Sequence, residues 1–163
     1  ACGGRLHSAR YPRKPRGGPG DLGPEHERRL SFCCAAEDCR QRATPASVRF
    51  LGRRVYLGAV VVLATTLRHG VTPTRACELR ALLGVSAKTL ERWRSWWQET
   101  VVASDCWKSA RSRFARPVDE SSLPASLLER FSGNAVERLV GVLRLLLPLT
   151  TASVVGALAE GRC

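Results

Sequence analysis

The sequence predicts a mainly α-helical fold with a small β-structured part at its amino-terminal end. Residues 1–54 are rich in Gly, Pro and Cys, which favours short strands and turns over helices. Residues 55–101 contain long apolar and amphipathic stretches bounded by helix-capping residues. Residues 102–163 contain a linker and, after a break at Pro117, a further amphipathic stretch. We therefore divide the chain at these boundaries into three parts.

The charge of the chain indicates an acidic partner. Its 163 residues include 26 Lys and Arg against 14 Asp and Glu, for a formal net charge of +12. The positive excess lies in residues 1–117, so these residues are expected to meet a polyanion. A hydrophobic content of 44% is enough for a core. The apolar run Leu57–Ala64 is far shorter than the ~20 residues that span a bilayer. We expect a cytoplasmic protein without membrane contact.

The amino-terminal part is predicted to combine a loop with short strands. Residues 10–24 include Tyr11–Gly20, which is too rich in Pro and Gly for a helix or a central strand and is interpreted as a basic loop. Arg29–Phe32 and Ser47–Phe50 can form short strands around the cysteines.

Cysteines in the first part have the spacing of a structural zinc site. Cys34 and Cys39 are separated by four residues, and Cys2 is followed by two glycines. We predict zinc binding by Cys2, Cys34 and Cys39. The chain lacks Met and opens directly on this motif, so we expect a fragment whose fourth ligand precedes Ala1. Three alternatives stay open: Cys33 in place of Cys34, a contribution from His7 or His26, and buried cysteines without metal.

Three helices are predicted in the middle part. Val55–Leu67 is largely apolar, which favours a buried helix ended by His69 and Gly70. Thr72 and Pro73 mark the start of a second helix that runs to Leu83. Ser86 caps a third helix, which is expected to extend to about Glu99 after a turn at Gly84.

The second and third of these helices have the pattern of a DNA-binding helix-turn-helix. Leu79 and Leu83 are expected to point inward, Val85 to seal the turn, and Leu90, Trp93 and Trp97 to form a buried face. The opposite face suits base edges in the major groove of double-stranded DNA. Its predicted DNA-binding residues are Ser86, Ala87, Lys88, Glu91, Arg92 and Ser95, with Arg75, Arg80 and Arg94 as phosphate contacts. The alternative is an ordinary pair of amphipathic helices.

The basic loop is predicted to add contacts to the phosphate backbone or an adjacent minor groove. Pro12 and Pro15 keep the segment extended and lower the entropy lost on docking. A disordered, solvated loop is the alternative. The cations concerned are Arg10, Arg13, Lys14 and Arg16.

A last helical section is predicted after Pro117 and is expected to end at Pro148. Its leucine-rich end could support a homodimer or dock another protein, and a protein-interaction scaffold with a solubilising basic loop is therefore the alternative function. An enzyme with a cysteine nucleophile is the least favoured, because no base adjoins any cysteine in the sequence. The predicted apolar face consists of Leu127, Phe131, Val136, Leu139, Val142, Leu143 and Leu146.

The order of these motifs resembles the amino-terminal DNA-binding region of bacterial insertion-sequence transposases, in which a zinc ribbon precedes a helix-turn-helix. The resemblance covers about the first hundred residues and is carried by Cys2–Gly4, Cys34–Pro45, the apolar stretch from Val55 and Leu79–Trp97. It implies sequence-specific DNA binding by a mobile-element protein associated with the bacterial nucleoid. The acidic residues after Trp97 have no strand pattern to assemble the catalytic carboxylates of that family. We therefore expect a DNA-binding fragment without the catalytic domain and without enzymatic activity.

Overall fold

The fold is about half helical, with two small antiparallel β-sheets before the helices. It was obtained as a computed structural model. The structure describes residues 2–12, 14–51, 56–66 and 72–151, of which residue 151 is described by its backbone alone.

The amino-terminal strands form two small antiparallel sheets. The first has the strand order β1, β2, β3, and its long β1–β2 pair runs from Leu6 opposite Cys34 to Pro12 opposite Arg28. The second sheet pairs β4 with β5 immediately before the first helix. The strands are β1 Leu6–Pro12, β2 Arg28–Cys34, β3 Arg42–Ala43, β4 Phe50–Leu51 and β5 Tyr56–Leu57.

Strand β1 corrects the predicted boundaries of the basic loop. Arg10, Tyr11 and Pro12 belong to this strand and pair with β2, so the loop begins only after them. A proline fits here because β1 is an edge strand and Pro12 is its last residue, so its missing N–H leaves no gap inside the sheet. The predicted strand at Arg29–Phe32 is confirmed as the longer β2.

The helices follow the strands along the chain. The predicted helix over Val55–Leu67 is shorter than expected, because Tyr56 and Leu57 pair in β5 and the helix begins at Gly58. Its predicted ends, Val55 and His69–Gly70, lie outside the described residues. The helices are α1 Gly58–Thr65, α2 Pro73–Leu83, α3 Ala87–Ser95, continued by a π-helix over Trp96–Val101, α4 Asp105–Arg111, α5 Ala125–Leu128 and α6 Ala135–Leu145, and short 3-10 helices cover Pro24–His26, Glu120–Ser122 and Leu147–Thr151.

The carboxy-terminal part is more broken than predicted. The predicted linker after residue 101 contains α4, which is capped by Ser104 and buries Trp107. The single predicted helical section is divided into α5 and α6, and Gly133, at φ +99°, lies between them. Pro148 lies in a 3-10 helix just after α6.

One main core holds the helices together. The indole of Trp97 is fully buried and donates a hydrogen bond from Nε1 to Thr65 Oγ1 of α1 at 2.9 Å. Of the predicted apolar face near the carboxy-terminal end, Leu127, Val142, Leu143 and Leu146 are buried, whereas Val136 is 68% exposed. None of the helices in the described part of the chain has the length and apolar character needed to cross a bilayer. Members of the core include Val61, Val62, Val85, Leu90, Trp93, Trp97, Val101, Trp107, Leu123, Leu127, Val142, Leu143 and Leu146.

Candidate metal centre and candidate DNA-binding surface

The pairing of β1 with β2 brings three cysteines together. Cys34 ends β2, and Ala35 N donates to Arg5 O at 2.8 Å, which extends the pairing toward Cys2. Cys39 is brought back in a tight turn, in which its own N–H donates to Ala36 O at 3.1 Å. The strand register and this turn therefore place Cys2, Cys34 and Cys39 at one end of the sheet.

The glycine that ends the Cys2 motif is required by this packing. A Cβ atom at Gly4 would lie 2.6 Å from Cys34 Sγ and 3.4 Å from Cys2 Sγ. The preceding Gly3 has φ +66°, a left-handed conformation that glycine adopts without steric cost. The two glycines thus let the backbone bend closely around the sulfur atoms.

The geometry of the three sulfur atoms fits a metal ion. The Sγ atoms of Cys2, Cys34 and Cys39 all lie within 4.8 Å of one another, and the Cys2–Cys34 separation is 3.3 Å. Four thiolates at about 2.3 Å from a tetrahedral zinc are roughly 3.8 Å apart. The described part of the chain contains no other group of three or more His, Cys, Asp or Glu side chains suited to a metal.

Hydrogen bonds within the cluster favour the ionised form of the Cys2 thiol. Hydrogen bonds from the Gly4 backbone, Cys34 and Cys39 lower the pKa of Cys2 to about 7. A hydrogen bond from the Ala36 backbone acts to lower the pKa of Cys34, but the hydrogen bond with Cys2 and burial outweigh it, so this pKa is raised. A cation would favour both thiolates, because metal ligation deprotonates the thiol.

The alternative ligands lie outside the sulfur cluster. The Cys33 thiol donates to the carbonyl oxygens of Cys34 at 3.6 Å and Arg40 at 3.7 Å. His7 is opposite Cys33 in the sheet, and His26 Nδ1 lies 3.0 Å from a carboxylate oxygen of Glu25. Cys34, rather than Cys33, is therefore the second cysteine of the cluster.

Local signals in the sequence determine α2, the turn and α3. Thr72 Oγ1 accepts a hydrogen bond from Arg75 N at 3.3 Å, and Ser86 Oγ accepts one from Thr89 N at 3.3 Å. Gly84 ends α2 with φ +63°. These caps and this turn confirm both predicted ends of α2 and the predicted start of α3. The predicted end of the third helix near Glu99 is wrong, because α3 ends at Ser95 and the chain continues as a π-helix to Val101.

The predicted buried face of this unit is confirmed for α3 and only partly for α2. Val85, Leu90 and Trp93 are buried, as is Trp97 in the π-helix that follows. Leu79 and Leu83 are half-buried and pack against the core, and no residue of α2 is fully buried. Trp96 is half-buried and contacts Trp97 edge-on, with ring centroids 5.0 Å apart. The unit is therefore anchored mainly through α3.

All the predicted base-reading residues are exposed. Arg92 is held by a hydrogen bond from Nη2 to Thr89 Oγ1 at 3.0 Å. Of the predicted phosphate contacts, Arg75 and Arg80 are exposed, whereas Arg94 is half-buried and lines a separate cavity of about 600 Å³ with Gln98 and Asp119. The exposed base-reading residues are Ser86, Ala87, Lys88, Glu91, Arg92 and Ser95.

The basic loop is attached to the helix unit. Arg16 O accepts a hydrogen bond from the N–H of Leu57 in β5 at 3.4 Å. The next residue, Gly17, has a left-handed backbone conformation with φ +67°. A Cβ atom on Gly17 would lie 3.1 Å from Val85 and 3.3 Å from Trp93. The backbone therefore passes directly against the turn and α3. Lys14 and Arg16 are exposed, and Arg13 lies outside the described residues.

Sequence reasoning missed this docking contact. The pair Gly17–Gly18 indicates backbone freedom, but nothing in the pattern identifies Val85 and Trp93 as its neighbours.

Comparison of the chain with protein-family models, with curated proteins and with solved structures gave no match.

Proposed function

We propose that this protein binds double-stranded DNA sequence-specifically, with α2, the Gly84 turn and α3 acting as a helix-turn-helix. The observation that carries the proposal is that α3 has two distinct faces. Leu90 and Trp93 are buried on one face, whereas Lys88 and Arg92 are exposed on the other. Lys and Arg side chains match the acceptors of guanine in the major groove. The burial of one face holds the other in a fixed orientation.

The docked basic loop supports the same proposal. The contact of Gly17 with Val85 and Trp93 fixes Arg16 close to the turn of the helix unit. Arginine beside a recognition helix can bind phosphates and set the position of the helix on the duplex. The net charge of +12 supplies the long-range attraction to DNA.

A structural zinc ion is proposed for the cysteine cluster. Soft thiolate donors at these separations suit zinc, and the fold around them contains little other buried apolar surface. Zinc would cross-link the ends of β1 and β2. The proposed order of a zinc-bearing sheet before a helix-turn-helix is that of a transposase-like DNA-binding module, used for binding and not for catalysis.

Substitution of the neighbouring residues Cys33 and Cys34 tests the metal proposal. Cys34→Ser should lose most bound zinc, whereas Cys33→Ser should retain it, because only Cys34 belongs to the sulfur cluster. Elemental analysis of freshly purified, untreated protein measures this. Absence of zinc from the unmodified protein, or equal loss in both variants, would contradict the proposal.

DNA binding is tested by selection from a pool of random duplexes, followed by titration of the enriched site. Lys88→Ala and Arg92→Ala should weaken binding to this site more than binding to random DNA, by about 1 to 3 kcal/mol for a base contact. Enrichment of no sequence would contradict sequence-specific binding. Equal losses on both DNAs would mean that these residues contact only phosphates.

Lys108→Ala is the matched control. Lys108 is exposed on α4 and its ammonium group lies 3.6 Å from Asp105, so its removal changes the net charge as Lys88→Ala does. Surface pairs of this kind contribute little to stability. We expect this variant to discriminate between the two DNAs as the unmodified protein does.

A protein-interaction scaffold is the second candidate, favoured by exposed leucines. Leu82 on α2 is 71% exposed and Leu63 on α1 is 53% exposed. Leu143 and Leu146, expected to support a homodimer, are instead buried in the chain's own core. Association through leucines should withstand salt, whereas DNA binding should weaken steeply with it.

A further inference from the structure

A groove lined by arginines lies at the start of β2, away from the cysteine cluster. It has a volume of about 580 Å³ and is bordered by the 3-10 helix Pro24–His26 and by the segment that leads into β4. Four arginines and a single carboxylate, that of Glu25, are among its lining residues. The arginines are Arg10, Arg28, Arg29 and Arg49.

Three of these arginines, Arg10, Arg28 and Arg29, lie in the paired strands, and two of them share one face of the sheet. Arg10 is opposite Leu30. Arg28 comes two residues before Leu30 in β2 and is opposite Pro12, which comes two residues after Arg10 in β1. Because side chains two residues apart lie on the same face of a strand, Arg10 and Arg28 are diagonal neighbours on one face of the sheet. Both are exposed.

The other two arginines are held in position. Arg49 Nη1 donates a hydrogen bond to the Glu25 carbonyl oxygen at 3.1 Å. The guanidinium carbon of Arg29 lies 5.7 Å from the ring centroid of Phe50, which is almost completely buried. Contacts of this kind reduce the conformational entropy that an arginine loses when it binds a ligand.

The single carboxylate does not balance this charge. One Glu25 oxygen lies 3.0 Å from Nδ1 of His26, which directs this carboxylate toward the imidazole. The groove therefore keeps a clear positive excess. Guanidinium groups bind phosphate oxygens in a forked, two-bond geometry.

The lining favours a phosphodiester backbone over a single nucleotide. The only aromatic ring among the lining residues, Phe50, is buried beneath Arg29 and offers no face on which a base could stack. The side chains of Pro24, Pro45 and Ala46 have no hydrogen-bonding groups, and the Ser47 hydroxyl already accepts a hydrogen bond from Arg49 N at 3.2 Å. Recognition would therefore depend on charge and not on base identity.

We propose that the arginine groove binds the phosphate backbone of the same DNA duplex that the helix unit reads. This inference rests on the proposed function and adds a sequence-independent contact beyond those of the helix unit and the basic loop. Arg10, predicted as a cation of the basic loop, lies instead in β1 and lines the groove with Arg28, Arg29 and Arg49. Contacts of this type raise affinity for every sequence alike and increase its dependence on salt.

The test is a salt titration with a labelled duplex of about 25 base pairs, used with arbitrary and with selected sequence. Arg10→Gln/Arg28→Gln removes two cations but keeps the anchored Arg29 and Arg49. Arg113→Gln/Arg116→Gln removes the same charge from exposed positions outside the groove. The groove variant should lower affinity on both duplexes and reduce the slope of log K against log salt by about 1.8, at 0.9 per contact. The control should keep the slope of the unmodified protein.

The possible failures are distinguishable. If the unmodified protein binds neither duplex, the proposed function fails and the groove inference fails with it. If the unmodified protein binds DNA but the groove variant keeps its slope, or the control loses as much, only the groove inference is overturned. Circular dichroism and thermal melting of both variants establish that each is folded before binding is compared.

Discussion

Two single residues, Gly4 and Gly17, lie where any side chain would disturb a candidate site. A Cβ atom at Gly4 would collide with Cys34 Sγ, and one at Gly17 would press on Val85 and Trp93. Gly17 is also left-handed, which costs other residues about 1 kcal/mol or more. Each glycine therefore allows a close approach of backbone to side chain that the candidate site needs.

Gly17→Ala should lower the free energy of unfolding by about 1 to 3 kcal/mol, because strain in the backbone adds to crowding against Val85. It should also weaken DNA binding by displacing Arg16 from the helix unit. Gly20→Ala is the control, since a Cβ atom at Gly20 would meet no other atom within 4 Å. Urea denaturation of both variants measures the difference, and equal stabilities would contradict the contact described for Gly17.

Adjacent cysteines also mark what a sequence can and cannot predict about single residues. Successive side chains of a strand point to opposite faces, so only one of Cys33 and Cys34 can face Cys2. Which one does so depends on the strand register, and a shift by one residue would exchange them. By contrast, Thr72, Gly84 and Ser86 could be predicted, because caps and turns are determined by neighbouring residues.

Helix α1 is joined to the π-helix by one buried hydrogen bond. Trp97 Nε1 donates to Thr65 Oγ1, and the threonine hydroxyl in turn donates to Val61 O at 2.6 Å. Both side chains are buried, so water cannot replace the hydroxyl. This bond orients the continuation of α3 on the core.

Thr65→Val should destabilise the protein by about 1 to 3 kcal/mol, because it keeps the shape of the side chain but leaves the buried indole N–H without an acceptor. Thr66→Val is the control, since the Thr66 hydroxyl donates to Leu63 O in an exposed environment where water can compensate. Chemical denaturation monitored by tryptophan fluorescence compares them. A loss no larger for Thr65→Val than for Thr66→Val would show that the Trp97 bond contributes little.

Helix α4 is attached to the 3-10 helix Glu120–Ser122 through a carboxylate. Trp107 Nε1 donates to Glu120 Oε1 at 2.7 Å, and Arg111 Nη1 donates to the same oxygen at 2.9 Å. The hydrogen bond from Trp107, and then the one from Arg111, lower the pKa of Glu120 below its ordinary value of 4.5. The ionised carboxylate is therefore favoured in the folded state.

This lowered pKa has a definite consequence for stability. The contribution of Glu120 is present above its ordinary pKa of 4.5 and is lost as the pH falls through the lower folded-state value. Glu120→Gln should be less stable at neutral pH by roughly 1 kcal/mol and should lose less stability on acidification than the unmodified protein. Denaturation at several values between about pH 3 and pH 7 measures this. Parallel pH profiles for the two proteins would contradict it.

The elements that the sequence failed to predict are those whose formation depends on distant partners. Ser104 before Asp105 is a usable cap signal, but α4 has only seven residues and its role depends on the burial of Trp107 against the core. Strand β1 is exposed along its whole length and ends in Pro12, so it lacks the alternation that identifies a strand. The strongly periodic α3 could be predicted from its own sequence.

The buried apolar side chains are distributed unevenly along the chain. Among the described residues before Phe50, Cys34 is the only buried hydrophobic side chain. The first sheet, with β1 and β2, therefore has almost no hydrophobic core of its own, and isolated two- or three-stranded sheets of this kind are marginally stable. The helices from α1 to α6 share the main core. A metal cross-link at the cysteine cluster is the interaction best placed to stabilise the first sheet.

Removal of metal should therefore unfold the amino-terminal sheet and leave the helical core folded. Hydrogen exchange followed by mass spectrometry, with and without a zinc chelator, measures both parts in the intact protein. Amides of Arg28–Cys34 should lose protection after chelation, whereas those of Ala87–Ser95 and Ala135–Leu145 should keep it, because their side chains pack in a core that contains no metal ligand. Cys33→Ser, with the sulfur cluster intact, should respond to the chelator as the unmodified protein does, and Cys34→Ser should resemble the chelated protein without any treatment. Unchanged protection of β2 after chelation would show that the sheet is stable without metal, and loss of protection throughout the chain would show that the sheet and the helices unfold as one unit.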